Sequence, residues 1–385
     1  MVHCGACWVK PFNILQAWSV DSAQAQCGGQ VYLVGGAVRD QLLGRPVTER
    51  DWVVVGSTPE QMLDAGFRPA DPEFPVFLHP VTREEYALAR RETSIADGYR
   101  GFALNINPQI SIKEDLARRD LTVNAIAQDM SGSIIDPYRG QQDLVARRLR
   151  HVTTAFAEDP VRVLRTARFA AELGHLGFTI APETQQLMHQ MMASNYELAA
   201  ERIRYDMWKA LAGTQPWHFF ALLAQVGVQP VADIPAATQV EALAALRQVC
   251  HHTSDPDLRF VAYALHCVEL DRLDRVLTRR VTGLLKQARR AWSQLTTTLL
   301  DCEPTTVWTF LHSLRAWHTE GNYAAVMQVL RAYQQHERLL ARIQVAQAAA
   351  SKVRPDVLRS KGLQGAALGQ SLRVCRQAAI AAVWQ

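Results

Sequence analysis

The chain has 385 residues, more than one compact core usually holds, so two or more packed units are expected. Its 48% hydrophobic and 20% charged content is ordinary for globular proteins, and no apolar run is long enough to span a bilayer, which argues against a membrane protein. The net charge of +4 is unevenly spread: residues from Pro304 onward carry 10 Lys/Arg against 3 Asp/Glu, leaving the rest near −3. A basic terminal region suits a phosphate-backbone partner, although charge alone is equally consistent with a solvated surface.

Residues 1–29 lack the basic start and clean apolar core of a secretory signal, and read as an extension, either disordered or the product of an upstream start site. Cys4 and Cys7 form a CxxC without the second pair that a zinc site needs. The seven cysteines are odd in number and scattered, which fits reduced thiols in a cytoplasmic protein. Val31–Val34 and Trp52–Val55 are short β-branched runs and predict strands, with "GAVRDQLLG" between them a short helix closed by Gly44. "TPEQMLDAG" predicts an N-capped helix, and "PVFLH" and "EEYALAR" predict strands separated by the turn "PVTR". The polar segment 91–115 predicts a mobile loop. Strands and helices alternate as far as "SIIDPYRG", so residues 30–152 predict an α/β unit. Beyond His151 the apolar spacing is helical throughout, with no strand-length run.

Three groups of residues suggest chemistry. Glu49 and Asp51 stand two apart at a strand entry, where alternate side chains share a face, and two hard oxygen donors suit Mg²⁺. Glu85, opening the next strand-like run, is the candidate third acid. Three carboxylates around two metals permit in-line nucleotidyl transfer; the alternative is a set of surface acids. Gly35 and Gly36 at a strand-to-helix turn let backbone N–H groups approach phosphates, and Arg39 lies within reach, the alternative being a turn that needs glycine for its dihedrals. Asp159 and Arg162, three apart on a predicted helix, combine an acceptor-only carboxylate with a five-donor guanidinium. Such a pair matches the Watson–Crick edges of C and A, which each carry an amine donor and a ring acceptor; the alternative is a surface salt bridge.

Four stretches, "LVGGAVRD…RDWVVVG", "RRDLTVNAIAQD" (118–129), "IIDPYRGQQDL" (135–144) and "EDPVRVLRTARFAAELGHLGF" (158–178), resemble in order and spacing the class II tRNA nucleotidyltransferases. These are the CCA-adding enzymes of the polymerase-beta-like superfamily, which also holds bacterial poly(A) polymerases. "GLQGAALGQSLR" (362–373) is similar to the family's tail motif. The resemblance implies an α+β protein: a nucleotidyltransferase head (30–152), then an all-α neck (153–215), body (216–303) and basic tail (304–385). It implies template-independent addition of CMP, CMP and AMP from CTP and ATP to the tRNA 3′ end, with Mg²⁺ as cofactor, tRNA as partner and no protein partner. Residue by residue, Gly36 and Arg39 match the phosphate turn, and Glu49 and Asp51 the metal carboxylates. Arg119, with Asp120 and Asn124 nearby, matches a sugar- and phosphate-side contact. Asp159 and Arg162 match the protein template for the base, and Arg165 and Arg168 further nucleotide contacts.

Two departures stand out. The family's first metal ligand is usually Asp; Glu49 moves the carboxylate outward by about one bond length, which bears on rate and metal preference. The stretch 249–276 holds His251, His252 and His266 but no His-Asp dipeptide, so no phosphohydrolase activity is expected. The segment between the third acidic strand and "RRD" matches the loop that accompanies A addition in the family. An enzyme adding only A is therefore the first alternative, and a catalytically impaired tRNA-binding relative the second.

Overall fold

The computed structural model describes residues 27–71, 74–94, 102–193, 199–228, 236–265, 276–297, 299, 302–318, 321–333 and 336–384. The Cys4–Cys7 motif, most of the N-terminal extension, the centre of the 91–115 segment and His266 lie outside these residues.

The chain divides into two compact units, Met1–Leu198 with Gln225–Val228, and Ala199–Ala224 with Gln229–Gln385. In the first, a seven-stranded sheet is built on β1 (Gln30–Val34), β2 (Asp51–Val55), β3 (Arg68–Pro69), β4 (Val76–Leu78) and β5 (Glu85–Leu88). Its order is β3-β4-β5-β2-β1-β8-β9, with β8 at Ala127–Gln128 and β9 at Ile134–Ile135. Only β2 and β5 pair in parallel; the other neighbours are antiparallel. Helix α1 (Gly36–Leu42) returns the chain from β1 to β2, and α2 (Pro59–Asp64) starts at a capping box between Thr58 and Gln61. The hairpin of β6 (Arg90–Ser94) and β7 (Phe102–Ile106) forms a separate two-stranded sheet. It leads into α3 (Ile112–Ala117), which Ser111 and Glu114 cap reciprocally.

The core on one face of the sheet gathers Val34, Val53, Ala89, Ile110, Leu116, Ala125 and Ala127. They include Leu116 of α3 and Ala125, which directly follows the tight turn Thr122–Asn124, so apolar burial helps hold that turn beside the end of β1. Next come α4 (Gly140–Ala146), β10 (Arg148–Leu149), α5 (Val161–Leu173), β11 (Thr179–Ile180) and α6 (Pro182–Ala193). Helix α5 buries nine of its thirteen residues, including Val163, Leu164 and Ala167. The expectation of helix alone after His151 needs one correction: Thr179–Ile180 is a short strand parallel to β10. Two residues are too few to register as a periodic run, and their partner lies about thirty positions upstream.

Among its described residues the second unit is helical, from α7 (Ala200–Ala212) through α8 (Trp217–Gln225), α9 (Ala236–Val249), α10 (Pro256–Ala264) and α11 (Arg279–Thr297). It ends with α12 (Pro304–Ser313), α13 (Tyr323–Leu330), α14 (Glu337–Ser351), α15 (Pro355–Arg359) and α16 (Gly365–Ala381). Buried Arg259 donates to the carbonyls of Leu211 (2.6 Å) and Gly213 (2.8 Å), closing the C-terminal end of α7 with a charged donor. No helix among the described residues is long and apolar enough to cross a membrane.

Candidate active site

Gly35 terminates β1 in the left-handed region (φ +71°), its N–H donating to the Ile126 carbonyl and its own carbonyl accepting from the Arg39 N–H. A Cβ here would stand 3.1 Å from Nη1 of Arg119, so glycine lets that guanidinium close on the turn. Arg119 Nη2 donates to Asp115 Oδ2 at 3.2 Å, while its Nε is buried without a partner among the described residues. A half-buried guanidinium with an unsatisfied donor beside a glycine turn is suited to an anion. The Gly35 turn and Arg119 together make a place suited to an anion.

Arg39, expected at the same phosphates, is 4% exposed and turned into the protein. Its guanidinium donates to Asn124 Oδ1 (3.0 Å), to both Asp40 oxygens (3.0 and 3.1 Å) and to Glu172 Oε1 (3.0 Å). Asn124 Nδ2 in turn donates to Asp120 Oδ1 at 3.2 Å, and Arg165 Nε donates to Asp120 Oδ2 at 2.7 Å. One relay, buried at Arg39, Asn124 and Asp120 and partly exposed at Arg165, thus joins α1, the 122–124 turn and α5. Burial alone would raise the pKa of Asp120, but Arg165, Asn124 and the Leu121 N–H outweigh it and hold the carboxyl down to about 2. Arg168 packs over the Phe169 ring at 4.3 Å, and Arg39 lies over the same ring.

Asp159 and Arg162 do not share a helix face. Helix α5 begins at Val161, and Asp159 sits ahead of it in extended conformation, its Oδ1 accepting the Val161 N–H at 2.9 Å. Arg162 is buried and donates to the Ala155 carbonyl at 2.6 Å; the two charged groups form no ion pair with each other. A helix-entry cap and a backbone carbonyl hold them instead. Burial pushes the Asp159 carboxyl up, against the Val161 N–H and the charges of Arg162 and Arg165, and with help from the negative charge of Glu92. A carboxylate that is not neutralised by its arginine neighbour keeps its acceptor capacity for another donor.

At the sheet end, Asp51 faces Glu85 directly across the parallel β2–β5 pair, and both are exposed. Glu49 is exposed too, but β2 begins at Asp51, so strand alternation does not govern Glu49. Among the described residues no group of three or more His, Cys, Asp or Glu is gathered closely enough to hold a metal ion. Exposed carboxylates are donors of the kind a hard cation takes while it keeps water in much of its shell.

Sequence reasoning missed Asp40 and Glu172 as partners of Arg39, and the buried carboxylates Asp115 and Asp143. Asp143 accepts from Thr122 Oγ1 at 2.7 Å and from Arg150, which secures the same 122–124 turn. A signal existed for Asp115: it precedes Arg118 and Arg119 by three and four positions on a helical stretch. None existed for Glu172, which lies 133 positions from Arg39. His251 and His252 occupy an exposed turn after α9.

The sequence pattern of the Poly A polymerase head domain matches residues 31–150, and that of a probable RNA and SrmB-binding site of polymerase A matches residues 177–231. A multifunctional CCA protein of Teredinibacter turnerae is 52% identical over 251 residues, which cover 60% of this chain and 61% of that protein. The chain thus spans less than two thirds of that relative's length. A CCA-adding enzyme of Marinobacter nauticus is 39% identical over 365 residues, covering 91% of this chain and 98% of that enzyme. A solved CCA-adding enzyme in complex with ATP shares the fold, with a TM-score of 0.70 at 23% identity over 97% of this chain and 90% of that one.

Proposed function

Because the chain belongs to the CCA-adding enzyme family, we propose that it is a tRNA nucleotidyltransferase that adds CMP, CMP and AMP, from CTP and ATP, to the 3′ end of tRNA. The observation that carries this reading is the relay Arg39–Asn124–Asp120–Arg165. It ties the phosphate turn to the helix that carries Arg162, as selection of a nucleotide by protein alone requires.

In this reading Gly35, Gly36 and Arg119 receive the triphosphate, and Asp159 and Arg162 read the base. Asp159 accepts the exocyclic amine of C or A and Arg162 donates to the ring nitrogen. Uracil and guanine offer the reverse pattern and leave both groups unpaired, a mismatch worth about 1–3 kcal/mol each. Arg39, Asp120 and Asn124 hold this frame, with Arg165 and Arg168 lining it. Mg²⁺ bound by Glu49 and Asp51, with Glu85 alongside, would neutralise charge on the phosphates during transfer. The primer 3′-hydroxyl gives up its proton to water, and its oxygen bonds to the α-phosphorus as the bond to the bridging oxygen breaks and pyrophosphate leaves. The basic tail would hold tRNA through backbone and shape, and the protein would act in the cytoplasm.

The test is incorporation on tRNA transcripts lacking the last three, two or one nucleotides, with each NTP singly and with CTP plus ATP. Completion of CCA from the shortest transcript without UMP or GMP is the expected result. Addition of A to the longest alone would identify an A-adding enzyme. Retained tRNA binding without incorporation would identify a binding protein.

A further inference from the structure

A second charged cluster, apart from the relay, lies between the β6–β7 hairpin and α3. At its centre is Asp115, whose side chain is fully buried. Its two oxygens are used differently. Oδ1 accepts from Arg118 Nε (3.0 Å) and Nη2 (2.7 Å) and from the backbone N–H of Arg90 (3.4 Å). Oδ2 accepts from Arg119 Nη2 at 3.2 Å. Glu92 secures the far side, accepting from Arg90 Nε (3.0 Å) and Arg118 Nη1 (2.7 Å).

Three guanidiniums face two carboxylates here, so the cluster carries an excess positive charge. Two of its buried donors, Arg119 Nε and Arg90 Nη1, lack partners among the described residues. Arg119 is the member that reaches out: its Nη1 lies against the Gly35 turn. We propose that Asp115 is a positioning residue for nucleotide binding, acting through Arg119, whose guanidinium it holds by one carboxylate oxygen against the Gly35 turn. The inference rests on the nucleotidyl-transfer reading and adds to it the group that aims the phosphate contact. Arg118 anchors the carboxylate, so the second oxygen has one fixed direction, and a guanidinium held at one edge presents its other nitrogens in a set plane.

Asparagine separates charge from shape at this site. With its carbonyl facing Arg118, its amide faces Arg119, donor against donor, and Arg119 is released. Binding of CTP and of cytidine to the full chain is measured by calorimetry for wild type, Asp115→Asn, Arg119→Ala and the double variant. Asp115→Asn is expected to weaken CTP by about tenfold, the scale of one lost charged hydrogen bond, and cytidine by less than about twofold. In the Arg119→Ala background it should have no further effect on CTP. Equal weakening of CTP and cytidine, or an undiminished effect without Arg119, overturns the proposal, because a structural role alone predicts both.

Should Asp115→Asn not fold, Arg119→Lys serves, since that side chain is partly exposed. Lysine keeps the charge but cannot span the carboxylate and the turn, so it must weaken CTP and spare cytidine; CTP binding at the wild-type level overturns the proposal. A wild-type chain that binds neither CTP nor ATP overturns the nucleotidyl-transfer reading and this inference together. Wild-type CTP binding with an unchanged CTP-to-cytidine ratio in the variants overturns the inference alone.

Discussion

Asp120 and Asp159 lie near the same arginine, Arg165, yet their environments push them in opposite directions. Asp120 is saturated with donors and held down to about 2, whereas burial raises Asp159. For Asp120 the folded-state pKa lies below the ordinary value of 3.8, so it contributes stability that is present above about pH 4 and lost as pH falls toward 2, about 2 kcal/mol in all. For Asp159 the sign reverses: ionisation costs the folded state, and protonation sets in at higher pH than for an ordinary aspartate. A protonated Asp159 donates where it formerly accepted, matching the O4 acceptor of uracil. Acidification should therefore raise UMP misincorporation at a pH where an ordinary aspartate is still ionised, without lowering the thermal transition. Asp159→Asn at pH 7 should lose roughly 10–100-fold in discrimination without loss of melting temperature. Incorporation assays and thermal melts on the same samples check this. A melting temperature that falls together with selectivity would mean that Asp159 supports the fold.

At the level of elements, the decisive piece is the short turn Thr122–Asn124, clamped from several sides. Asp143 accepts its Thr122 hydroxyl, the Thr122 N–H donates to the Arg150 carbonyl, and Asn124 joins the relay. Gly140, at the start of α4, packs so closely that an added Cβ would collide with the Thr122 carbonyl oxygen and the Ile126 side chain. Asp136 fixes Gly140 there by accepting its N–H at 2.7 Å. Gly140→Ala is therefore expected to destabilise the first unit by about 2–3 kcal/mol, through overpacking against backbone that cannot yield. It should also lower nucleotide affinity, although Gly140 lies outside every residue assigned to the nucleotide. Urea denaturation and CTP titration measure the two effects; a fully stable variant with normal affinity would mean that the turn has slack.

For the whole molecule, part of the basic excess after Pro304 stacks on aromatic rings in the second unit. Trp308 and His312 stack at 4.7 Å with planes 11° apart, Arg373 lies 4.8 Å over Trp308, and Arg376 lies 4.6 Å over Trp317. The indole N–H groups of both tryptophans lack partners among the described residues. Alternating guanidinium and aromatic planes suit RNA, through phosphate attraction and stacking. Arg373→Ala is expected to weaken tRNA binding several-fold and to lower the slope of log affinity against log salt by roughly one. CTP binding should stay at the wild-type level. Filter binding across a salt series measures the slope; an unchanged slope would assign the ladder to packing.

The division into a strand-bearing head and a helical remainder, and the glycine turn, are legible in the chain's local patterns. Both are encoded within a few positions, by β-branched runs, capping residues and a glycine that a left-handed dihedral requires. The candidate residues are legible there too, because their motifs are contiguous in the chain. What those residues do for one another depends on the packed fold. Arg39 stands close to Gly36 in sequence yet turns inward, because Asn124 and Glu172, 85 and 133 positions away, supply acceptors in a buried site. Asp159 and Arg162 have helical spacing, yet the helix starts between them and each is fixed by backbone. Glu85 meets Asp51 only through the pairing register of two strands 34 positions apart. Hydrogen bonds in a buried site depend on which groups the core brings within about 3 Å, and that is a property of the packed chain and not of spacing along it.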